Sequence, residues 1–228
     1  LPTFNRSFAF HYQFLKKNIP LKKEELDRKI KTIPAGVDTK IFKPAKSKPE
    51  ELKILMIARM VPYKRYYDFI EALSELKKRK ISFTASIRGD GPIEKKIRKL
   101  VKEKELEGKV KFLPKVPHNK MPNLMREHNV LVLPSYNEAI GMVVPEAMAC
   151  GLATIVSDTC GATTYIDDGK NGMIFETFNT QQLADKIEKL SDKKLREKIG
   201  LQAVQTIRKK FDIRITTKQL EKQIIECL

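Results

Sequence analysis

The chain has 228 residues, a formal net charge of +17 and three cysteines, Cys150, Cys160 and Cys227. That length holds one large domain with a full hydrophobic core, or one domain with appendages. No apolar run approaches the roughly 18 residues a membrane-spanning helix needs, nothing resembles a signal peptide, and no C-x-x-C pair offers a zinc or redox site.

Residues 1–32 crowd Phe4, Phe8, Phe10, Tyr12 and Phe14 ahead of a charged stretch, Lys22 to Lys31. From Leu52 onward, strand-like and helix-like segments alternate, which predicts an α/β fold with a parallel sheet. The expected strands are Leu52–Ala58, Ser82–Arg88, Lys109–Leu113, Asn129–Leu133, Ala153–Ser157 and Met173–Phe175. Helices are expected at Tyr67–Lys80, Ile93–Glu107, Met121–His128, Gln181–Leu190 and Asp192–Phe211, with Thr180 as the cap of the fourth. A last helix is read from Ile213 to Leu228, with Ile215, Leu220, Ile224 and Ile225 as its apolar positions.

The positive charge draws phosphate-bearing partners: nucleic acid, anionic membrane or nucleotides. Much of it sits in amphipathic segments such as Glu94–Lys104, where lysines fill the positions between Ile97, Leu100 and Val101 and form a solvated face. No zinc-finger spacing, RNP-like aromatic pattern or recognition-helix signature accompanies it, so no nucleic-acid partner is expected. The cysteine usage fits a reduced, cytoplasmic protein, and the charge adds an expectation of peripheral membrane contact.

The most informative stretch runs from Pro134 to Gly151. It follows the apolar run Asn129–Leu133, so Ser135 to Gly141 are expected at the carboxyl end of a buried strand. Pro145 suits the first turn of a short helix, Glu146 to Ala149 continue it, and Gly151 stops it. Glu138 and Glu146 are thereby set around a glycine-containing turn at a helix start. Free backbone N–H groups at Ile140, Gly141 and Met142 suit a phosphate or sugar oxygen. Carboxylates repel phosphate and accept from paired hydroxyls. A ligand with both parts, such as a nucleotide-sugar, suits such a site.

With seven residues between them, Glu138 and Glu146 followed by Ala-Met-Ala-x-Gly resemble the signature of retaining glycosyltransferases of family 4. Three further segments resemble that family in order. They are the hinge Ile33-Pro-Ala-Gly-Val-Asp-Thr-Lys-Ile-Phe42, the Gly-Arg-x-x-x-x-Lys-Gly loop at Ala58-Arg-Met-Val-Pro-Tyr-Lys64, and the Gly-x-Gly-Pro turn at Gly89-Asp-Gly-Pro92. The resemblance implies a Rossmann-like parallel sheet flanked by helices, the C-terminal half of a GT-B fold. It implies a hexosyltransferase acting in glycan biosynthesis, taking a UDP- or GDP-sugar to a glycan or lipid-linked acceptor, without a cofactor and without a metal site.

By the same resemblance Arg59 and Lys64 hold the diphosphate, Glu138 serves the transferred sugar and Glu146 the ribose; Arg59, Lys64 and Glu138 form the catalytic set. Ile140, Gly141, Met142 and Gly89 complete the substrate site. His118, in a loop that approaches the nucleobase in relatives, is left out of the catalytic set as a structural histidine. Four positions depart from the family: Ala58 and Arg65 stand where glycines are usual, Cys160 where a glycine and Thr164 where a glutamate is usual. They keep open a non-catalytic nucleotide-sugar-binding or scaffolding role.

Starting at Leu1, the chain is expected to be a partial or processed piece. Residues 1–40 are read as a remnant of an acceptor domain plus hinge, and 41–212 as the donor-binding domain. Residues 213–228 are read as a helix that packs toward the acceptor domain.

Overall fold

The structure, a computed structural model, describes residues 32–227. The aromatic-rich segment Phe4–Phe14 and the charged stretch Lys22–Lys31 lie outside the described residues. Six parallel strands form one sheet: β1 (Lys53–Ile57), β2 (Thr84–Arg88), β3 (Val110–Leu113), β4 (Val130–Leu133), β5 (Ala153–Ser157) and β6 (Met173–Phe175). Their spatial order is β3-β2-β1-β4-β5-β6, so β1 and β4 lie side by side at the centre. Every expected strand is present: β5 and β6 keep their expected bounds, β2, β3 and β4 start one or two residues later, and β1 loses one residue at each end.

Among the described residues there are seven α-helices: α1 (Tyr66–Lys78), α2 (Glu94–Glu103), α3 (Met121–Arg126), α4 (Val143–Ala149), α5 (Thr180–Lys189), α6 (Lys193–Thr206) and α7 (Ile213–Cys227). Side chains alternate across the two faces as the pleat requires. Ile54 and Met56 point to one core with Phe69 and Leu73 of α1, Ile97 of α2 and Ile187 of α5. Leu55 and Ile57 point to the other, with Met125 of α3, Met148 of α4 and Ala203 of α6. Burial on both faces explains why β4 reads as an unbroken apolar run; β5 is equally buried and carries Thr154 and Ser157 among its apolar residues.

Three expectations about helix ends are corrected. The cap of α5 is Asn179, not Thr180; its side chain accepts from the Gln182 N–H at 3.0 Å, and Thr180 is the first helical residue. The fifth expected helix is two pieces. Asp192 caps it, accepting from the N–H groups of Lys194 and Leu195 at 2.8 and 3.3 Å, and α6 widens after Thr206 into a π turn over Ile207–Phe211. That turn presents the Phe211 carbonyl to the Val37 N–H at 2.8 Å. Finally, α2 stops at Glu103 because Glu105 adopts φ +52° and Leu106 N–H reaches back to Val101 at 2.9 Å.

The hinge segment is part of the packed body. Val37 and Phe42 are buried in the same core as Leu131 and Met148, and Ile213 N–H donates to the Val37 carbonyl at 2.9 Å. Asp212 locks this junction. Its buried carboxylate accepts from Arg214 Nε and Nη2, each at 2.7 Å, and from the Thr39 hydroxyl. Beyond that anchor, α7 exposes Leu220, Ile224 and Ile225.

The Arg214 bonds hold the Asp212 carboxyl well below its ordinary value of 3.8. A depressed folded-state pKa gives stability that is complete above about pH 4 and is lost as pH falls through the folded value. Asp212→Asn is therefore expected to cost about 2 kcal/mol at pH 7, the scale of a hydrogen bond to a charged group, with a smaller loss of stability below pH 4 than in the wild type. Urea unfolding at the two pH values checks this; a wild-type midpoint in the variant at pH 7 contradicts it.

Candidate active site

At the centre of the sheet the connection from β1 leaves toward α1 on one face, and that from β4 toward α4 on the other. A crevice opens where neighbouring strands send their chains apart, and ligands of open α/β sheets bind there. From β1 the chain passes Ala58 and Arg59, tightens into a 3-10 turn over Pro62–Lys64 and turns through Arg65 at φ +55°. From β4 it runs through Asn137 at φ +53° and Gly141 at φ +68° into α4. The Tyr136 N–H donates to the Tyr63 carbonyl at 2.7 Å and stitches the loops together.

Across this stitch Lys64 Nζ pairs with Glu138 Oε2, their side chains only 12 % and 17 % exposed. Burial lowers the pKa of the Lys64 ammonium, and Arg59 pushes it the same way. Arg59 itself is exposed and has no ion-pair partner among the described residues. The first expected cation is therefore available to an incoming anion, and the second is held by the first expected carboxylate.

Glu146 lies in the first turn of α4 with its side chain 13 % exposed. Burial raises its pKa, and His118 partly offsets the shift. His118 Nε2 stands 3.1 Å from Glu146 Oε1, and its ring leans on Phe42 at 5.5 Å between centroids. The structure thus brings His118 to the site, where the sequence reading had left it out of the catalytic set. The signal available was its place in the loop after β3, at the same carboxyl edge as the other site residues.

Among the described residues, the backbone N–H groups of Ile140, Gly141 and Met142 find no acceptor. They lie at the start of α4, with Ile140 exposed and Gly141 and Met142 half-buried, and unpaired N–H groups of this kind suit a phosphate or sugar oxygen. The turn is shaped from behind. A Cβ on Gly161 would lie 1.9 Å from the Ala139 carbonyl oxygen, and the Gly161 N–H donates to the Glu138 carbonyl at 2.7 Å. Only glycine permits that approach. Cys160 is buried beside this contact, its thiol pushed up to about 11 by burial, so it packs as a small apolar group. Thr164 is exposed.

A cavity of about 370 Å³ opens between the ends of β2 and β3, lined by Arg88, Gly89, Asp90, Phe112 and Lys115 among others. Gly89 serves as both wall and spacer: a Cβ there would fall 1.8 Å from the Ala58 carbonyl oxygen. Arg88 Nη2 donates to the Val116 carbonyl at 3.1 Å, and its Nε has no partner among the described residues. A larger groove of about 680 Å³ lies between residues 32–34, the π turn and α7; among the described residues it is lined by lysines, amides and apolar groups.

A parallel sheet in this order, with cations, carboxylates and free N–H groups at its central crevice, makes an open α/β domain of the kind that binds ligands at that crevice. The comparisons narrow the class. The family described as "Glycosyl transferases group 1" matches residues 37–206, and the chain belongs to that family. The chain is 29 % identical over 168 residues to an alpha-D-kanosaminyltransferase of Streptomyces kanamyceticus, covering 73 % of this chain and 44 % of that protein. It is similar to the crystallised C-terminal domain of the group 1 glycosyl transferase LpcC of Francisella tularensis, with TM-score 0.72 and 30 % identity, covering 78 % of this chain and all of that one. It is also similar to S. aureus TarM in complex with Fondaparinux, alpha-GlcNAc-glycerol and UDP, with TM-score 0.80 and 25 % identity, covering 94 % of this chain and 42 % of that one. The sheet is the Rossmann-like half of a GT-B glycosyltransferase, and the chain spans about half the length of the curated relatives it matches.

Since His118 holds the Glu146 pKa down, His118→Ala should move the Glu146 carboxyl titration to higher pH. Carboxyl-detected NMR titration reads this directly. An unchanged Glu146 midpoint would mean that the 3.1 Å contact carries no charge coupling.

Proposed function

We propose that this chain is the donor-binding half of a retaining, metal-independent glycosyltransferase that moves a hexose from a nucleotide diphosphate sugar to a glycan or lipid-linked acceptor. The observation that carries the reading is the Lys64–Glu138 pair at the central crevice, with Glu146 and three free N–H groups beside it.

In this reading the empty site is charge-balanced, and the donor opens the pair. Its diphosphate takes Lys64 and Arg59, whose attraction strengthens as charge develops on the leaving group. A sugar hydroxyl then satisfies Glu138, and the ribose hydroxyls take Glu146 from His118. The cavity between β2 and β3 has room for a planar base beside the loop that bears His118. Front-face attack, assisted by the departing diphosphate, accounts for retention without a protein nucleophile. UDP in the TarM complex favours a uridine donor over a guanosine one. The charge of +17 supports peripheral work at the cytoplasmic face of a membrane, although no described helix is long and apolar enough to cross one.

A second reading, a non-catalytic nucleotide-sugar-binding or scaffolding domain, draws on the departures at Ala58, Arg65, Cys160 and Thr164. Sugar transfer by the whole protein separates it from the first.

Arg59→Ala and Lys64→Ala should each weaken nucleoside diphosphate binding by roughly 1.5–3 kcal/mol. Wild-type affinity in both, by calorimetry, removes the diphosphate clamp. Glu146→Gln should weaken nucleotide and nucleotide-sugar alike, whereas Glu138→Gln should spare the bare diphosphate and lower turnover. Equal loss of diphosphate affinity in both variants makes the assigned roles wrong.

A further inference from the structure

Arg65 takes a left-handed backbone, φ +55° and ψ 41°, at the junction between the Lys64 turn and α1. An L side chain is ill at ease there, and glycine is the residue that fits without strain. The side chain supplies the compensation. Its Nε and Nη2 donate to the two oxygens of the buried Asp68 at 2.9 and 2.6 Å, and its guanidinium lies 4.6 Å from the centre of the Phe178 ring. Phe178, between β6 and α5, is itself left-handed at φ +72° and 54 % exposed. Its ring meets Tyr136 at 5.2 Å between centroids. Tyr136 in turn donates its N–H to Tyr63, so the contacts close a circuit through the loops after β1, β6 and β4.

The circuit runs through the backbone of Lys64, between Tyr63 and Arg65, and its Tyr136 corner lies on the loop that bears Glu138. The 3-10 turn Pro62–Lys64 has no buried residue and no side-chain cap, so its own packing does not fix it. What holds the turn lies on either side of Lys64, at Tyr63 and Arg65. With Nε and Nη2 on Asp68 and its face on Phe178, the Arg65 guanidinium is committed to protein partners.

We propose that Arg65 is a positioning residue: the Arg65–Phe178–Tyr136 clasp fixes the turn bearing Lys64 against the loop bearing Glu138. This rests on the donor-site reading above. Lys64 pairs with the sugar-side glutamate, so it serves the phosphate that bears the sugar, the outer phosphate of UDP. The clasp therefore governs affinity for UDP and not for UMP.

The test measures UDP and UMP binding to this chain by NMR titration in Phe178→Ala, Phe178→Tyr and Arg65→Lys. Phe178→Ala, which removes an exposed ring from Arg65 and Tyr136, is expected to weaken UDP about fivefold, roughly 1 kcal/mol, with UMP affinity unchanged. Phe178→Tyr keeps the ring and should keep wild-type UDP affinity. Arg65→Lys keeps the charge, loses the fork, and should behave as Phe178→Ala does. Added to Lys64→Ala, Phe178→Ala should weaken UDP no further. Unchanged UDP affinity in Phe178→Ala and Arg65→Lys overturns the clasp alone, as does a parallel fall for UDP and UMP. A wild-type chain that binds neither UDP nor GDP overturns the donor-site reading, and the clasp with it.

Discussion

The Lys64–Glu138 pair is the constraint on which the rest of the site depends. A half-buried ammonium and a half-buried carboxylate each lose part of their hydration, and that loss is offset when the two meet. They can meet because β1 and β4 are neighbours whose chains leave the sheet on opposite faces. Once formed, the pair sets what the crevice accepts. A simple anion that takes Lys64 leaves Glu138 half-buried and unpaired, whereas a ligand with both phosphate and hydroxyl groups satisfies the two together. Selectivity then comes from the cost of leaving a partner behind more than from the strength of any new contact.

The same logic extends to Glu146, which is held by His118 when the site is empty. Each carboxylate of the site thus has a protein partner that a sugar or ribose hydroxyl can replace. Arg59 and the N–H groups of Ile140, Gly141 and Met142 stand open. The free positive charge at the crevice is where an anionic ligand first arrives. Elsewhere some cations are paired locally, as on α2, where Arg98 pairs with Glu94 and Lys99 with Glu103.

How much of this was legible in the sequence follows from range. The strands were readable because β4 and β5 are buried on both faces, and Glu138 and Glu146 were readable from their spacing within one motif. What depends on distant partners was not. His118 meets Glu146 across 28 positions of sequence, and a loop histidine carries no periodic signal. Arg65 was legible only as a departure, standing where a glycine is usual; its anchors on Asp68 and Phe178 were not. The π turn before Asp212 is set by Val37, far earlier in the chain, so the apolar spacing of α6 runs on through it. Thr180 and Asn179 are both good caps by type, and only the 3.0 Å bond to Gln182 chooses between them.

The central claim is that the crevice between β1 and β4 is the nucleotide-sugar site. Mapping backbone amide shifts while UDP is titrated into the chain tests it most directly. The account predicts that the largest saturable changes fall on Ile140, Gly141, Met142 and the Arg59–Lys64 turn, with a second group in the loop from Val116 to His118. Changes confined to the lysine face of α2, or to the groove beside α7, would contradict it.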